Sequence, residues 1–229
     1  MYNIHGRPSR KGPESDLVVN FIDSFIPLEK DVFISVLIEP QLINSVPDIV
    51  FIYWDRTATN EWGKSRLNLE TNDYKLIQFL HAKGAQKKEP LQSFFPRGLD
   101  HSLRRLQLSG IIKESKNGWV LNTFKKIFAV KKIITFEAKM SASERALEQA
   151  LLNLRFSSES YLLTPTSVRK LKTVEQAKKY GVGIWSHSTQ VEKPIINAKK
   201  QPLPQSYLSW LLNDLVWAYT QGGMNEYKC

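Results

Sequence analysis

Apolar positions between 14 and 26 fall at helical spacing. Leu17, Val18, Phe21, Ile22 and Phe25 share one stripe and Pro27 closes the segment, which predicts a first helix. Residues 31–39 and 46–55 are dense in β-branched and aromatic side chains, the texture of two strands joined by a turn over 40–45 and expected to pair antiparallel. From 56 to 132 the pattern breaks into short helical stretches rich in Lys and Arg, and Ile133-Ile134-Thr135-Phe136 then reads as a strand again. A helix follows over 143–156, with Ala146, Leu147, Ala150, Leu151 and Leu154 on one face. Beyond it the chain predicts a strand at 161–163, a helix over 167–180, a strand over 181–186, a polar loop over 188–204 and an aromatic-rich helix over 205–219. Strands alternating with helices point to an α/β core interrupted by an insertion.

Within the insertion, 72–83 predicts a helix that carries Leu76, Ile77, Phe79 and Leu80, capped by Asn72 and stopped at Gly84. A short helix over 88–95 ends at Pro96. A third over 99–108 turns Leu99, Leu103 and Leu106 inward and His101, Ser102, Arg104, Arg105 and Gln107 outward. Residues 111–121 then read as two short strands around the turn pair Asn117-Gly118. Three helices and a hairpin resemble a winged helix, whose third helix enters the major groove of DNA. That resemblance implies that Arg97, Ser102, Arg104, Arg105 and Gln107 meet bases or phosphates and that Lys113 and Lys116 on the hairpin reach the backbone. A winged helix used for protein contact, with the arginines as a solvated face, is the competing reading.

Charge sharpens the picture. The 229 residues carry a net charge of +10, which favours an anionic partner, nucleic acid ahead of a membrane surface. Cys229 is the only cysteine, so a disulfide framework and a Cys-based zinc site are excluded. With no apolar signal-peptide core near the start and no run long enough to span a bilayer, a cytoplasmic protein is expected, with 1–13 as a flexible basic arm. There is no glycine-rich phosphate loop, so an ATPase is not supported. His5, His81, His101 and His187 are scattered without metal-ligand spacing. The helix at 205–219 is apolar enough to pack on the core, or to leave a homodimer or partner-protein contact open.

Two short motifs sit on the predicted strands. Pro47-Asp48 opens the second, and Glu137-Ala138-Lys139 ends the strand after the insertion, just before the helix that starts Ser143-Glu144-Arg145. With the order helix, strand, strand, strand, helix, strand, these resemble the core of the PD-(D/E)XK nuclease superfamily over 14–55 and 131–187. The fold implied is a restriction-endonuclease-like mixed sheet flanked by helices. The domains are then a discontinuous core, 14–55 and 131–229, with 56–130 as the inserted winged-helix module.

The resemblance implies a metal-dependent endodeoxyribonuclease in which Asp48 and Glu137 hold Mg²⁺ or Mn²⁺. Hydrolysis adds negative charge to a phosphate that is already anionic, and a hard cation on carboxylate ligands offsets it. Side chains two apart on a strand share a face, so Lys139 points with Glu137 and can orient or deprotonate water or stabilise the transition state. An acid on the first helix often joins such sites; Glu14, Asp16 and Asp23 are the candidates, with Asp23 preferred. Gln149 is the candidate for a glutamine on the following helix. If the second and third strands are antiparallel neighbours, Asp48, Glu137 and Lys139 converge at one sheet edge, and the insertion attaches roughly 20 to 25 Å away. A non-catalytic DNA-binding protein, either a decayed nuclease or a winged-helix regulator, is the alternative.

Overall fold

The computed structural model describes residues 2–6, 8, 11–25, 32–40, 47–165, 171–187 and 194–221. The expected turn at 41–45, the start of the helix expected from 167 and the first part of the loop from 188 lie outside the described residues. Along the chain the elements are β1 (Tyr2–His5), α1 (Pro13–Ser24), β2 (Phe33–Ile38), β3 (Ile49–Trp54), α2 (Thr71–Lys83), α3 (Lys88–Phe94), α4 (Leu99–Leu108), β4 (Ile112–Ser115) and β5 (Gly118–Leu121). There follow α5 (Phe124–Ile127), β6 (Val130–Ala138), α6 (Glu144–Asn153), β7 (Glu159–Thr164), α7 (Leu171–Tyr180), β8 (Gly183–Ser186) and α8 (Tyr207–Thr220). Two compact units result: Met1–Trp54 with Lys131–Pro204, and Asp55–Val130 with Gln205–Asn225.

The first unit is built on a six-stranded sheet in the order β1-β2-β3-β6-β7-β8. β2 and β3 are antiparallel, from Phe33 opposite Trp54 to Ile38 opposite Ile49. The end of β6 lies beside the start of β3, where the Ala138 N–H donates to the Asp48 carboxylate, so these neighbours also run antiparallel. β6, β7 and β8 are parallel to one another. The sheet is therefore mixed and the class α/β, as expected.

Strand alternation divides the side chains between two layers. Ile34, Val36, Phe51, Ile134, Phe136, Ala138 and Leu163 pack with Leu17, Val18, Phe21 and Ile22 of α1. The Phe21 ring lies 4.8 Å from Phe136 and 5.5 Å from Trp185, centroid to centroid. A second cluster joins Leu147 and Ala150 of α6 to Ala177 of α7 and to Val182 and Ile184. Buried hydroxyls tie α6 to the sheet: Ser160 Oγ donates to Ala150 O at 2.6 Å, and Thr135 Oγ1 meets Ser157 Oγ at 3.3 Å.

Residues 2–5 are not part of a flexible arm; they form β1, parallel to β2, with Ile4 opposite Val36. Four residues are too few for period-two alternation to stand out, and the pairing is supplied by the exposed edge of β2. Gly6 follows with φ 87°, where a Cβ would come within 2.6 Å of Ile38 O, so the close approach needs glycine.

In the second unit, α2, α3 and α4 precede the β4–β5 hairpin, and Gln86 forms a further bridge with Trp119. Ser115 opposes Gly118, so the hairpin turn is Lys116-Asn117 rather than Asn117-Gly118. Gly118 has φ 102°, and a Cβ there would strike Gln86 O at 2.2 Å.

Helix α8 belongs to this second unit, not to the sheet-bearing core where the sequence placed it. Trp210 is buried against the rings of Phe124 and Phe128, and Asn213 Oδ1 accepts from Ala129 N–H at 2.7 Å. Asp214 is buried in an ion pair with Arg66, whose guanidinium also donates to Ile127 O at 2.9 Å and stacks 3.4 Å over the Trp62 ring. An apolar periodicity says that a helix is covered, not by what, and the Asp214 partner lies far away in sequence. Leu212, Leu215, Val216 and Trp217 are buried, while Leu208, Leu211 and Tyr219 are half-buried. Among the described residues no helix is long and apolar enough to cross a membrane.

Candidate active site

The edge of the sheet where β3 begins and β6 ends gathers four charged side chains of the first unit. Pro47 is buried and sets Asp48 at the mouth of β3, where the Asp48 backbone carbonyl accepts from Glu39 N–H at 3.0 Å and Asp48 Oδ2 accepts from Ala138 N–H at 2.7 Å. Glu137 and Ala138 point to opposite sides: Ala138 packs into the α1 layer, and Glu137 is buried beneath α6 at 3% exposure. Lys139 follows the strand, with its N–H bonded to Leu163 O at 2.9 Å.

The Lys139 ammonium is the hub. Its Nζ lies 3.1 Å from Glu137 Oε1, 3.5 Å from Asp48 Oδ2 and 3.5 Å from Glu14 Oε2, and donates to Ala138 O at 2.9 Å. The structure brings Asp48, Glu137 and Lys139 together, although the two motifs are separated by some ninety positions. On the first helix it brings in Glu14 rather than Asp23. Glu14 precedes Leu17, Val18 and Phe21 by three, four and seven residues, so it extends the buried stripe of α1 towards the site. Asp23 is exposed and stands off that stripe near the other end of the helix.

Gln149 is half-buried, and among the described residues no hydrogen bond or ion pair joins it to these three groups. Asn153, one turn further along α6, is the α6 side chain that acts on Glu137, drawing its carboxyl down. The sequence reading missed Asn153, yet a signal was present. It falls three residues after Ala150 and seven after Ala146, a polar side chain on the apolar stripe of α6.

Electrostatics follow from burial and crowding. Burial, then the neighbouring charge of Asp48, pushes the Glu137 carboxyl up to about 7, against the opposing pull of Lys139 and Asn153. Burial also raises Asp48 despite Lys139 and the Ala138 N–H. Burial alone would lower Lys139, but the carboxylates of Asp48, Glu137 and Glu14 outweigh it and hold the ammonium charged. Two partly buried carboxylates facing one ammonium are short of positive charge. Their hard oxygen donors fit Mg²⁺ or Mn²⁺, which uses one or two carboxylates and takes its remaining ligands from substrate phosphate and water. No group of three or more His, Cys, Asp or Glu that could hold a metal ion by itself occurs among the described residues.

The residues expected to meet DNA divide in two. Arg104 and Gln107 on α4, Arg97 before it, and Lys113 and Lys116 on the hairpin are exposed. Ser102 is buried at 4%, because with Leu99, Leu103 and Leu106 it completes the inward stripe of α4. Arg105 is turned back on its own unit, its Nε 2.7 Å from the fully buried Asp73 and its Nη2 3.0 Å from Glu70. A buried carboxylate needs such a partner, and helical position alone did not reveal it.

Comparison of the chain with protein-family models, with curated proteins and with solved structures returns no match.

Proposed function

We propose that this protein is a metal-dependent endodeoxyribonuclease of the PD-(D/E)XK type, with a winged-helix module in its second unit that holds the DNA. The observation that carries the reading is the convergence of Asp48, Glu137 and Lys139 on one sheet edge. The succession α1, β2, β3, β6, α6, β7 supports it, since it follows the helix-strand order expected of that core, with the insertion between β3 and β6.

Asp48 and Glu137 would hold Mg²⁺ or Mn²⁺. Bound there, the cation would supply Lewis-acid polarisation of the scissile phosphate and of an attacking water. Lys139, charged among its carboxylates, orients the phosphate and offsets the negative charge that grows as water adds to phosphorus and the P–O bond to the leaving oxygen breaks. Glu14 stands at the solvent side of the cluster and holds the ammonium in place.

The DNA-binding half of the proposal rests on the second unit, which carries fourteen Lys and Arg against eight Asp and Glu. Glu61, Glu70, Asp73, Asp100 and Asp214 are among those engaged in ion pairs. With Ser102 and Arg105 removed, Arg104 and Gln107 are the side chains offered to base edges and Arg97, Lys113 and Lys116 those offered to phosphates.

Supercoiled plasmid incubated with the protein and Mg²⁺ or Mn²⁺ tests the reading. Wild-type protein nicks or linearises it, and Lys139→Ala lowers the rate by about 10²- to 10³-fold while retaining DNA binding in EDTA. Unchanged cleavage by Lys139→Ala overturns the assignment of the site. Salt-sensitive DNA binding without cleavage under any divalent metal favours the non-catalytic DNA-binding protein, and absence of such binding removes both.

A further inference from the structure

Three segments of the first unit meet at the end of the sheet where β7 and β8 begin: the close of α6, the close of α7 and residues 199–201. Backbone contacts hold them there. Lys199 N–H donates to Gly181 O at 2.9 Å, just beyond α7, and Gln201 N–H donates to Ser158 O at 3.1 Å. Gln201 Nε2 donates to Leu154 O at 2.8 Å and to Ser157 O at 2.9 Å, which ties the same segment to the end of α6. Gly181 has φ 76°, and a Cβ there would come within 2.9 Å of Lys199 Cβ.

The charge gathered at this end has one sign. Residues 153–158, 176–183 and 194–204 supply Arg155, Lys178, Lys179, Lys199 and Lys200; of Asp and Glu they contain only Glu159's neighbours in the chain and no acid of their own. All five cations are exposed, and among the described residues none of them forms an ion pair. Glu159, which opens β7, is buried and lies 3.2 Å from Lys132. Glu175, one turn before Lys178 and Lys179, is exposed and makes no ion pair with either. Helix C-terminal ends favour cations, which accounts for Arg155, Lys178 and Lys179. Lys199 and Lys200 lie on a non-helical segment where no helix end calls for charge, yet the backbone bonds set them beside the other three. Like charges so gathered repel one another and attract a polyanion.

This end is remote from the carboxylates. Ala138, whose N–H binds Asp48, is opposite Leu163 on β7, and Ser158 precedes Leu163 by a run of strand about 15 to 20 Å long. We propose that Arg155, Lys178, Lys179, Lys199 and Lys200 form a second DNA-binding surface, which grips the phosphate backbone of a duplex at the opposite end of the sheet from Asp48 and Glu137. A duplex is the partner that presents several negative charges at close, regular spacing. The inference uses no residue of the metal site or of the second unit.

Anisotropy of a labelled DNA duplex in EDTA, across a salt series, tests it. Replacing Lys178, Lys179, Lys199 and Lys200 together by Gln should make the slope of log affinity against log salt shallower by about 3 to 4, with an unchanged melting temperature. In the wild-type protein, bound duplex should protect these four lysines from acetylation, read by mass spectrometry, a measurement that needs no variant. An unchanged slope in the folded variant, or four lysines acetylated equally with and without bound duplex, overturns the surface. If the four-lysine variant keeps full binding while Arg104→Ala loses it, this surface falls and the DNA-binding reading of the second unit stands; absence of duplex binding by wild type removes both. Binding to vesicles of anionic phospholipid but not to the duplex overturns the assignment to nucleic acid.

Discussion

The raised Glu137 carboxyl makes the metal-free protein sensitive to pH in a direction that can be worked out. Folding moves this group from an ordinary value of 4.5 to about 7. Between those values the folded protein keeps a proton that the unfolded chain has released, so the group's contribution is most favourable below about pH 4.5, declines as pH rises, and is least favourable above about pH 7. At about 1.4 kcal/mol for each tenfold change in proton affinity, that displacement is worth at most about 3.5 kcal/mol. Asp48 is shifted in the same direction, chiefly by its own burial. Urea unfolding in EDTA should therefore show wild type losing about 2 to 3 kcal/mol between about pH 5 and pH 8 through this site. Glu137→Gln cannot titrate and should lose much less; groups common to both proteins cancel in the difference. Mg²⁺ should restore wild-type stability at the higher pH, since it binds the folded state. The same pH dependence in wild type and Glu137→Gln would refute the reasoning.

Other perturbations separate structural from functional charges. Arg66→Ala leaves Asp214 buried without its partner and should cost about 3 to 5 kcal/mol in thermal unfolding, whereas Arg66→Met with Asp214→Leu should be nearly neutral; a loss under about 1 kcal/mol for the single change contradicts the burial described. Arg104→Ala should weaken DNA binding by about 1 to 3 kcal/mol and relax its sequence preference without changing the melting temperature, while Arg105→Ala should lower the melting temperature by removing the partner of Asp73. The opposite pattern would reverse the assignment of the two arginines. On the first helix, Glu14→Gln should slow plasmid cleavage by about 10- to 100-fold and Asp23→Asn should leave it within about twofold. Equal effects would show that α1 contributes only through packing.

Much of the sheet could be read because its strands repeat one signal. The run over 49–54 is apolar throughout and 133–136 nearly so, and the helices between strands carry clean stripes. Asp48, Glu137 and Lys139 were legible because each sits at a strand end whose position the pattern supplies. The choice of first-helix acid was also legible in principle: the spacing from Glu14 to Leu17, Val18 and Phe21 singles out Glu14, whereas Asp23 neighbours the exposed Val19 and Asn20. Asn153 is marked in the sequence only as a polar side chain on the apolar stripe of α6. What could not be read is long-range pairing. Arg105 looks solvated until Asp73 is seen buried beside it, and α8 could have covered either unit until Asp214 is seen to meet Arg66. β1 is held by an edge that its own four residues do not announce.

The most direct measurement of the central claim is anomalous diffraction from crystals soaked in Mn²⁺. An ion in contact with both the Asp48 and the Glu137 carboxylates, with Lys139 beside them, is the predicted result. Crystals that bind Mn²⁺ only elsewhere, or that leave this sheet edge without metal at saturating concentration, would contradict it.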